Sequence, residues 1–230
     1  MSASSSSRRA LASVRFEPYR SANRLLDVGC GVGDFLLAAQ ARGWEVQGVE
    51  LEARAREVCA ARGVPALDAP LDPERFPPRS FDVVTSFEVL EHMVDPREEM
   101  RAAAGVLRGG GLLYLTTPNF SSLTRRLLGP RYSVIAYPEH LGYFRPATLD
   151  RLLQGAGLER VHLRSTGFSP GQLRDALRPR DAPSARKAVD EGLRQAVERR
   201  ESLRAAKRAI NGALSAAGLG DTLKASYRRP

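Results

Sequence analysis

Along the chain, segments with a hydrophobic pattern typical of strands alternate with segments whose pattern is typical of helices. Short apolar runs, typical of buried strands, are separated by amphipathic stretches with a helical period. We predict strands at Leu25–Val28, Glu45–Val49, Phe81–Phe87, Gly111–Thr117 and the segment LERVHLRST. We predict helices at Asp34–Arg42, Ala53–Arg62, Pro96–Val106 and Ala147–Ala156. This alternation predicts an α/β fold in which helices cover both faces of a parallel sheet.

The two ends of the chain depart from this alternation. Residues 1–20 form an N-terminal segment that begins Ser-rich and is expected to be partly disordered. Residues 21–230 are expected to form a single domain. Within it, residues 167–220 are predicted to be a mainly helical insertion before a last strand, DTLKASYRR.

Composition and charge narrow the class of protein. No apolar run approaches the ~20 residues that span a bilayer, and the first residues lack the apolar core of a secretory signal. The chain has 2 cysteines in unrelated contexts, so a cytoplasmic protein without a disulfide framework is expected. The net charge of +9 lies mostly in residues 171–230, where Arg alternates with Ala, Leu and Glu as on a solvated helix face. Nucleic acid is therefore not the favoured partner.

The stretch DVGCGVGD places three glycines between the first predicted strand and its helix. In open parallel sheets the ligand lies beside this turn, at the carboxyl ends of the strands. Gly29, Gly31 and Gly33 stand where a side chain would obstruct the turn or collide with a ligand. Glu50 ends the next strand, where a carboxylate can accept hydrogen bonds from both ribose hydroxyls. These residues favour a nucleoside-containing ligand but do not by themselves choose between NAD and others.

Five motifs occur in order: DVGCGVGD, GVE, SFDVVTSFEVLEHMVDP, LRGGGLLYLTTPN and PEHLGYFRPATLDRLLQGAGL. Together they resemble the class I S-adenosylmethionine-dependent methyltransferases, in the branch that includes ubiquinone-biosynthesis O-methyltransferases and many natural-product methyltransferases. The resemblance covers about residues 25–165. It implies a doubly wound, Rossmann-like, mostly parallel sheet of seven strands, with the last strand antiparallel beside its neighbour.

The resemblance also implies roles for individual residues in binding S-adenosylmethionine. Asp27 and the glycine turn would face the methionine part of the cofactor. Glu50 would hold the ribose and Leu51 would lie against the adenine. Phe87 would line the pocket through its backbone.

One segment departs from the family pattern. Where the family often has Gly followed by Asp or Thr near the adenine, this chain has LDAPLDP. The polar role would then fall to Asp68 or Asp72, and the backbone of Leu71 would cap the ring.

Carboxylate and imidazole groups follow the strand Phe81–Phe87. Glu88, Glu91 and His92 are spaced i, i+3 and i+4, so a helical segment would project them from one face. His140 follows a later strand and is expected at the same end of the sheet. The four residues could hold a divalent metal, and they are similar to metal-binding positions in ubiquinone-biosynthesis O-methyltransferases and small-RNA 3′-terminal 2′-O-methyltransferases. His92 or His140 could instead act as a general base without metal, or serve the structure alone.

The function expected from these features is methyl transfer to oxygen of a small-molecule, natural-product-like acceptor in secondary metabolism. Three alternatives stay open at this point. They are a metal-dependent RNA 3′-terminal 2′-O-methyltransferase, an NAD-dependent oxidoreductase, and a cofactor-binding subunit without turnover. The NAD alternative is disfavoured because Gly33 is followed at once by Asp34, which breaks the dinucleotide spacing.

Overall fold

The computed structural model describes residues 16–71, 75–167 and 201–230, except for the side chains of 201–208. The strands are β1 (Arg24–Val28), β2 (Glu45–Val49), β3 (Ala66–Leu67), β4 (Phe81–Phe87), β5 (Leu107–Pro118), β6 (Glu159–Thr166) and β7 (Thr222–Arg228). The helices are α1 (Asp34–Gln40), α2 (Ala53–Ala61), α3 (Pro96–Val106), α4 (Leu123–Leu128), α5 (Pro146–Gly155) and α6 (Glu201–Ala216). Short 3₁₀ turns occupy Glu17–Tyr19, Leu90–His92 and Gly129–Arg131.

The strands form one seven-stranded sheet in the order β3-β2-β1-β4-β5-β7-β6. β1 pairs in parallel with both β2 and β4, β2 pairs in parallel with β3, and β4 with β5. The sheet is mostly parallel, with antiparallel pairing near the end of the chain. The predicted doubly wound, Rossmann-like α/β fold is therefore confirmed.

Strand β3 was not located from the hydrophobic pattern. It has only 2 residues, and it exists because Ala66 and Leu67 pair with Gly48 and Val49 of β2. A strand this short has no alternation of its own, so only its neighbour in the sheet defines it.

Helix α3 has the bounds that the sequence predicts and is fixed at both ends. The Asp95 carboxylate accepts hydrogen bonds from the backbone N–H groups of Arg97 (2.9 Å) and Glu98 (3.0 Å), and Pro96 takes the first helical position. At the other end Arg229 Nη1 donates to the carbonyl oxygens of Ala104, Gly105 and Leu107. These contacts satisfy backbone groups that a helix end leaves unpaired, so α3 is a firm support for the residues that it carries.

The first described residues pack into the hydrophobic core. Phe16 is only 2% exposed, and its ring meets those of Phe35 and Tyr114 at centroid distances of 6.3 and 6.0 Å. The end of the N-terminal segment, residues 16–20, is thus part of the core through its aromatic side chain. The disorder expected within residues 1–20 otherwise falls on 1–15, which lie outside the described residues.

The backbone divides into two compact units. The first consists of Met1–Thr117, Ala147–Leu163 and Lys224–Pro230, and the second of Pro118–Pro146 and Arg164–Leu223. The expectation of one domain over residues 21–230 stays a prediction. In the described part of the chain, no helix combines the length and the apolar character needed to cross a membrane.

The second unit is organised around Asn119. Its side-chain amide donates to the carbonyl oxygens of Gly218 (2.9 Å) and Gly220 (2.7 Å), and its backbone N–H donates to Asp221 (2.8 Å). Helix α6 accounts for the described part of the predicted helical insertion. Residues 168–200 of that insertion lie outside the described residues.

Candidate active site

A cavity of about 970 Å³ opens at the carboxyl ends of β1 and β2, and residues after β3 and β4 complete its lining. β1 and β4 are neighbours in the sheet, and the chain leaves β1 toward β2 on one side but leaves β4 toward β5 on the other. Such switch points are the usual ligand sites of open α/β sheets. The lining belongs to the first unit. Of the predicted site residues it includes Gly29, Glu50, Leu51, Leu71 and His92.

The glycine turn combines a packing role with open space. Gly29 and Gly31 have φ angles of 69° and 53°, in the left-handed region that glycine adopts without strain. A Cβ atom on Gly29 would stand 2.5 Å from Cγ2 of Val89, whereas one on Gly31 would meet no atom within 4 Å. Gly33 ends the turn as the residue before α1. Gly29 is thus required for close packing against Val89, and the space beside Gly31 is open, although Gly31 is not among the residues that line the cavity.

Glu50 is held in position by the turn that it faces. Its Oε2 accepts a hydrogen bond from the Gly31 N–H (2.8 Å), and its Oε1 accepts one from the Glu52 N–H (3.0 Å). A carboxylate offers about four lone-pair positions, so each oxygen can accept one further hydrogen bond. The side chain is therefore prearranged to receive two hydroxyl donors, as a ribose supplies.

Asp27 lies buried one residue before the end of β1. It is 2% exposed, and the hydroxyl of Thr85 donates to its Oδ1 at 2.7 Å. Burial raises the pKa of Asp27 to about 7, with a further increase from the charge of Glu50 and an opposing effect of the Thr85 hydrogen bond. A positively charged ligand nearby would stabilise the ionised form.

The residues predicted to contact the adenine, and Phe87, which was predicted to line the pocket through its backbone, occupy different environments. Leu51 is 68% exposed and lines the cavity, while Leu71 lines it from a buried position. Phe87 is packed instead against Phe35 and Tyr114, at centroid distances of 4.8 and 5.8 Å, so its backbone role stays a prediction. The Asp68 carboxylate accepts from Arg56 Nη2 at 2.7 Å. Asp72 lies outside the described residues.

The expected helical face after β4 does not form. Glu88 has a φ of 54°, which is left-handed rather than helical, and the short 3₁₀ turn begins only at Leu90. The backbone N–H of Glu88 continues the sheet instead, donating to the carbonyl of Thr116 (2.9 Å). The spacing i, i+3, i+4 was therefore the wrong reason to group Glu88 with Glu91 and His92.

Glu91 and His92 nonetheless lie close enough to Glu88 for their charges to affect the pKa of its carboxyl group. Burial of its carboxyl raises the pKa of Glu88 to about 7; the Glu91 charge adds to this, and Thr116, Lys224 and His92 oppose it. The residue as a whole still keeps more than a third of its surface exposed, so water reaches it. Glu88 is thus an accessible carboxylate that exchanges its proton near neutral pH.

Glu91 and His92 differ in burial. Glu91 is 2% exposed, and its Oε2 accepts from the Thr117 hydroxyl at 2.9 Å. His92 is exposed and lines the cavity. Of this pair, the imidazole is the group within reach of a ligand.

His140 belongs to the second unit. Its Nδ1 lies 2.7 Å from the carbonyl oxygen of Val134, which places the proton on Nδ1, and its backbone N–H donates to Ala136 (2.8 Å). Its predicted participation with Glu91 and His92, as metal ligand or base, stays a prediction.

Polar residues of the site were missed by the sequence analysis: Thr117, and the residues that α3 and its N-cap contribute to the cavity lining, Asp95, Glu98, Glu99 and Arg101. Thr117 holds Glu91, and Glu99 of α3 lines the cavity and accepts a hydrogen bond from the Leu71 backbone N–H. Glu99 carried no signal of its own in the sequence, because only the structure shows that its face of α3, with Ala102 three residues later, lines the cavity. An acidic residue in a helix rich in Arg and Glu is otherwise expected on the solvated face.

The residues present fit S-adenosylmethionine. Glu50 has acceptor positions to spare, the space beside Gly31 is open, and the exposed side chain of Leu51 offers an apolar surface to a flat base. When bound, the cofactor supplies an electrophilic methyl group on a sulfonium.

Comparisons with known proteins identify the family and support the same cofactor. Residues 6–163 match the family model described as methyltransferase domain. The chain is 33% identical to the ubiquinone biosynthesis O-methyltransferase of Ralstonia nicotianae over 169 residues, which covers 67% of this chain and 70% of that protein. It is 31% identical to the protein of the same name from Aromatoleum aromaticum, covering 64% and 68% of the two chains.

Solved structures share the fold. A SAM-dependent methyltransferase from Archaeoglobus fulgidus superposes with a TM-score of 0.63 and 20% identity, covering 96% of this chain and 90% of the other. Phosphoethanolamine N-methyltransferase 2 of Haemonchus contortus, in complex with S-adenosyl-L-methionine, gives a TM-score of 0.63 at 16% identity, covering 98% and 53%. The choice between NAD and S-adenosylmethionine is decided for the latter, and the chain belongs to the class I S-adenosylmethionine-dependent methyltransferases.

Proposed function

We propose that the protein transfers the methyl group of S-adenosylmethionine to an oxygen atom of a small, natural-product-like acceptor. The observation that carries this proposal is the identity of 33% and 31% with relatives named O-methyltransferases. The accessible carboxylate of Glu88 supports it, because a hydroxyl acceptor must lose a proton when it is methylated.

The protein has two tasks in this reaction: it positions the methyl donor and the acceptor, and it removes the proton of the acceptor hydroxyl. The sulfonium is already a strong electrophile, so the protein must hold donor and acceptor in line and exclude water. The acceptor oxygen takes the methyl group, its proton passes to Glu88, and S-adenosylhomocysteine leaves. A pKa of about 7 suits a base that must accept this proton and release it again near neutral pH.

Glu88→Gln tests the role of the base. We expect kcat to fall by on the order of 100-fold or more, because general bases contribute about 10²–10⁴. In the unchanged protein the rate should rise through about pH 7 as Glu88 loses its proton, and the variant should lack this rise. The measurement is S-adenosylhomocysteine formation between acidic and alkaline pH with a phenolic acceptor. Glu57→Gln, an exposed site on α2, is the control, and a variant profile that still rises near neutral pH would contradict the role.

The metal site stays a prediction and has its own test. If a divalent ion orients the acceptor hydroxyl, excess chelator should abolish turnover, and Mg²⁺ should restore it. His92→Ala should then weaken metal binding measured by calorimetry. Full turnover in excess chelator would contradict the metal and would leave Glu88 to act alone.

The RNA-directed alternative also stays a prediction. It rests on the same Glu and His pattern and on the net charge of +9. No contact among the described residues favours it over a small acceptor.

A further inference from the structure

The C-terminal end of α2 bonds two consecutive carbonyl groups of the glycine turn. Cys59 Sγ donates to the carbonyl oxygen of Gly31 (3.2 Å), and Arg62 Nη1 donates to that of Val32 (2.6 Å). Arg62 Nη2 extends the contact to the carboxylate of Asp34 (2.8 Å), the first residue of α1. A thiol is a weak donor, whereas a guanidinium forms charge-assisted hydrogen bonds. Arg62 therefore makes the stronger of the two contacts with the turn.

Arg62 is itself fixed by the way in which α2 ends. It is the C-cap residue of the helix, and its backbone N–H donates to the carbonyl oxygen of Cys59 (3.0 Å). Gly63 follows with a φ of 70°, and its N–H donates to Ala60 (3.1 Å). A left-handed glycine after the cap satisfies the last carbonyl groups of a helix and holds its end in one conformation. The guanidinium thus reaches the turn from a fixed point of the backbone.

The glycine turn and the end of α2 are also in close contact. A Cβ atom on Gly33 would stand 3.0 Å from Cys59 Sγ and 3.2 Å from Cγ1 of Val64. Closely packed groups of this kind cannot move independently of each other. A change at the end of α2 is therefore transmitted to the turn.

The turn in turn contacts a residue of the cavity lining. The Gly31 N–H donates to Oε2 of Glu50 at 2.8 Å, and Glu50 lines the cavity. Arg62 is not among the lining residues. Any influence of Arg62 on the methyl donor therefore passes through the turn and Glu50.

We propose that Arg62 is a positioning residue for the methyl donor. Its bond to the Val32 carbonyl fixes the turn, the turn presents the Gly31 N–H to Glu50, and Glu50 is thereby held ready for the ribose. A site that is already ordered binds more tightly, because its groups lose less conformational freedom on binding. The inference concerns the donor alone, so it does not depend on the acceptor proposed above.

The first test is calorimetric titration of the full chain with S-adenosylmethionine, with no acceptor present. In Arg62→Lys the ammonium lacks the planar fork that bonds Val32 and Asp34 together, so we expect the dissociation constant to rise on the order of tenfold. Arg62→Leu removes both bonds and should bind more weakly than Arg62→Lys. Partial rescue by the lysine would show that a positively charged donor at this position, and not the bulk of the side chain, supports the donor site. Unchanged affinity in Arg62→Leu would overturn the proposal.

A double-mutant cycle with Glu50 tests the path of the effect. In Glu50→Ala the carboxylate that the turn supports is gone, so adding Arg62→Lys should weaken binding by less than about twofold further. If Arg62 contributed only to the general stability of the fold, the two losses would multiply. A second tenfold loss in the Glu50→Ala background would therefore contradict a role through Glu50.

Two further variants separate the turn from other contacts of Arg62. Arg54→Lys is the matched control, an exposed Arg on the same helix, and it should keep the affinity within a factor of about two. Asp34→Asn removes the charge that pairs with Arg62 but leaves the Val32 carbonyl in place, so it should lose less affinity than Arg62→Lys. An equal loss in Asp34→Asn would assign the effect to the ion pair and overturn the role of the turn. Failure of the unchanged protein to bind S-adenosylmethionine would overturn the placement of the donor as a whole.

Discussion

Replacing Glu50 by Ala is expected to weaken the binding of S-adenosylmethionine by on the order of 100-fold. The carboxylate has room for two ribose hydroxyls, and each hydrogen bond to a charged group contributes about 1.5 kcal/mol or more. The same substitution removes the acceptor that holds the Gly31 N–H, so the turn beside the cofactor also loses its support. Calorimetric titration with S-adenosylmethionine and S-adenosylhomocysteine measures the loss.

Glu52→Ala is the matched control for this result. Glu52 is exposed, and its side chain makes no capping hydrogen bond to α2, although its backbone N–H contacts Glu50. Its removal should leave cofactor affinity within a factor of about two. If Glu50→Ala bound S-adenosylmethionine as tightly as the unchanged protein, the assignment of the ribose to this carboxylate would be wrong.

Replacing Asp82 by Asn is expected to lower the free energy of unfolding by about 3 kcal/mol. Asp82 is 0% exposed and lies beneath the side chain of Arg108, whose Nε donates to it, while the backbone N–H groups of Ala22 and Arg24 donate at 3.1 and 3.2 Å. Removing one member of a buried ion pair costs about 3–5 kcal/mol. The lower end applies because Arg108 retains some contact with water, its side chain being 26% exposed.

The contribution of Asp82 to the free energy of unfolding should decrease as the pH falls. Burial alone would raise the pKa of Asp82. The hydrogen bonds from Arg108 and from the backbone N–H groups lower it by a larger amount, so the pKa in the folded protein lies below the ordinary value. The folded protein therefore binds this proton less readily than the unfolded chain. The stabilisation is complete above the unfolded pKa of about 4 and is lost as the pH falls through the lower, folded pKa.

Urea unfolding of the unchanged protein and of Asp82→Asn at neutral and acidic pH provides the measurement. The difference between the two proteins should be largest near pH 7 and should shrink below about pH 4. Glu159→Gln breaks the exposed pair with Arg228 (2.7 Å) and should change stability very little at any pH. Equal stability of all three proteins at pH 7 would show that the Asp82 pair does not stabilise the folded protein.

Most helices and strands could be predicted from the sequence because the patterns that indicate them are local. The bounds of β4 and α3 were predicted as observed, since a run of apolar residues and a capped, amphipathic stretch each carry their own signal. Strand β3 was missed because its 2 residues are defined by pairing with β2. Local pattern thus predicts long elements, and pairing decides the short ones.

The same distinction between local pattern and tertiary pairing applies to the predicted site residues. Gly29 and Glu50 were identified because turn chemistry and the end of a strand are visible in sequence, and both line the cavity. Glu88 was grouped with Glu91 and His92 on the assumption of a helix, and its left-handed backbone contradicts that assumption. Strain of this kind depends on how the segment joins the sheet, here through Thr116, and leaves no periodic pattern.

By itself, the sequence determined the α/β class, the glycine turn and the carboxylate that faces it, because each depends on residues close together in the chain. Only the tertiary structure decided which distant groups meet: Glu99 with the Leu71 N–H, Glu91 with Thr117, and Asp82 with Arg108. These partners come from different elements, and the order of strands in the sheet brings them within hydrogen-bonding distance. A hydrogen bond between such partners is a property of the packed sheet and its helices, which no short stretch of sequence encodes.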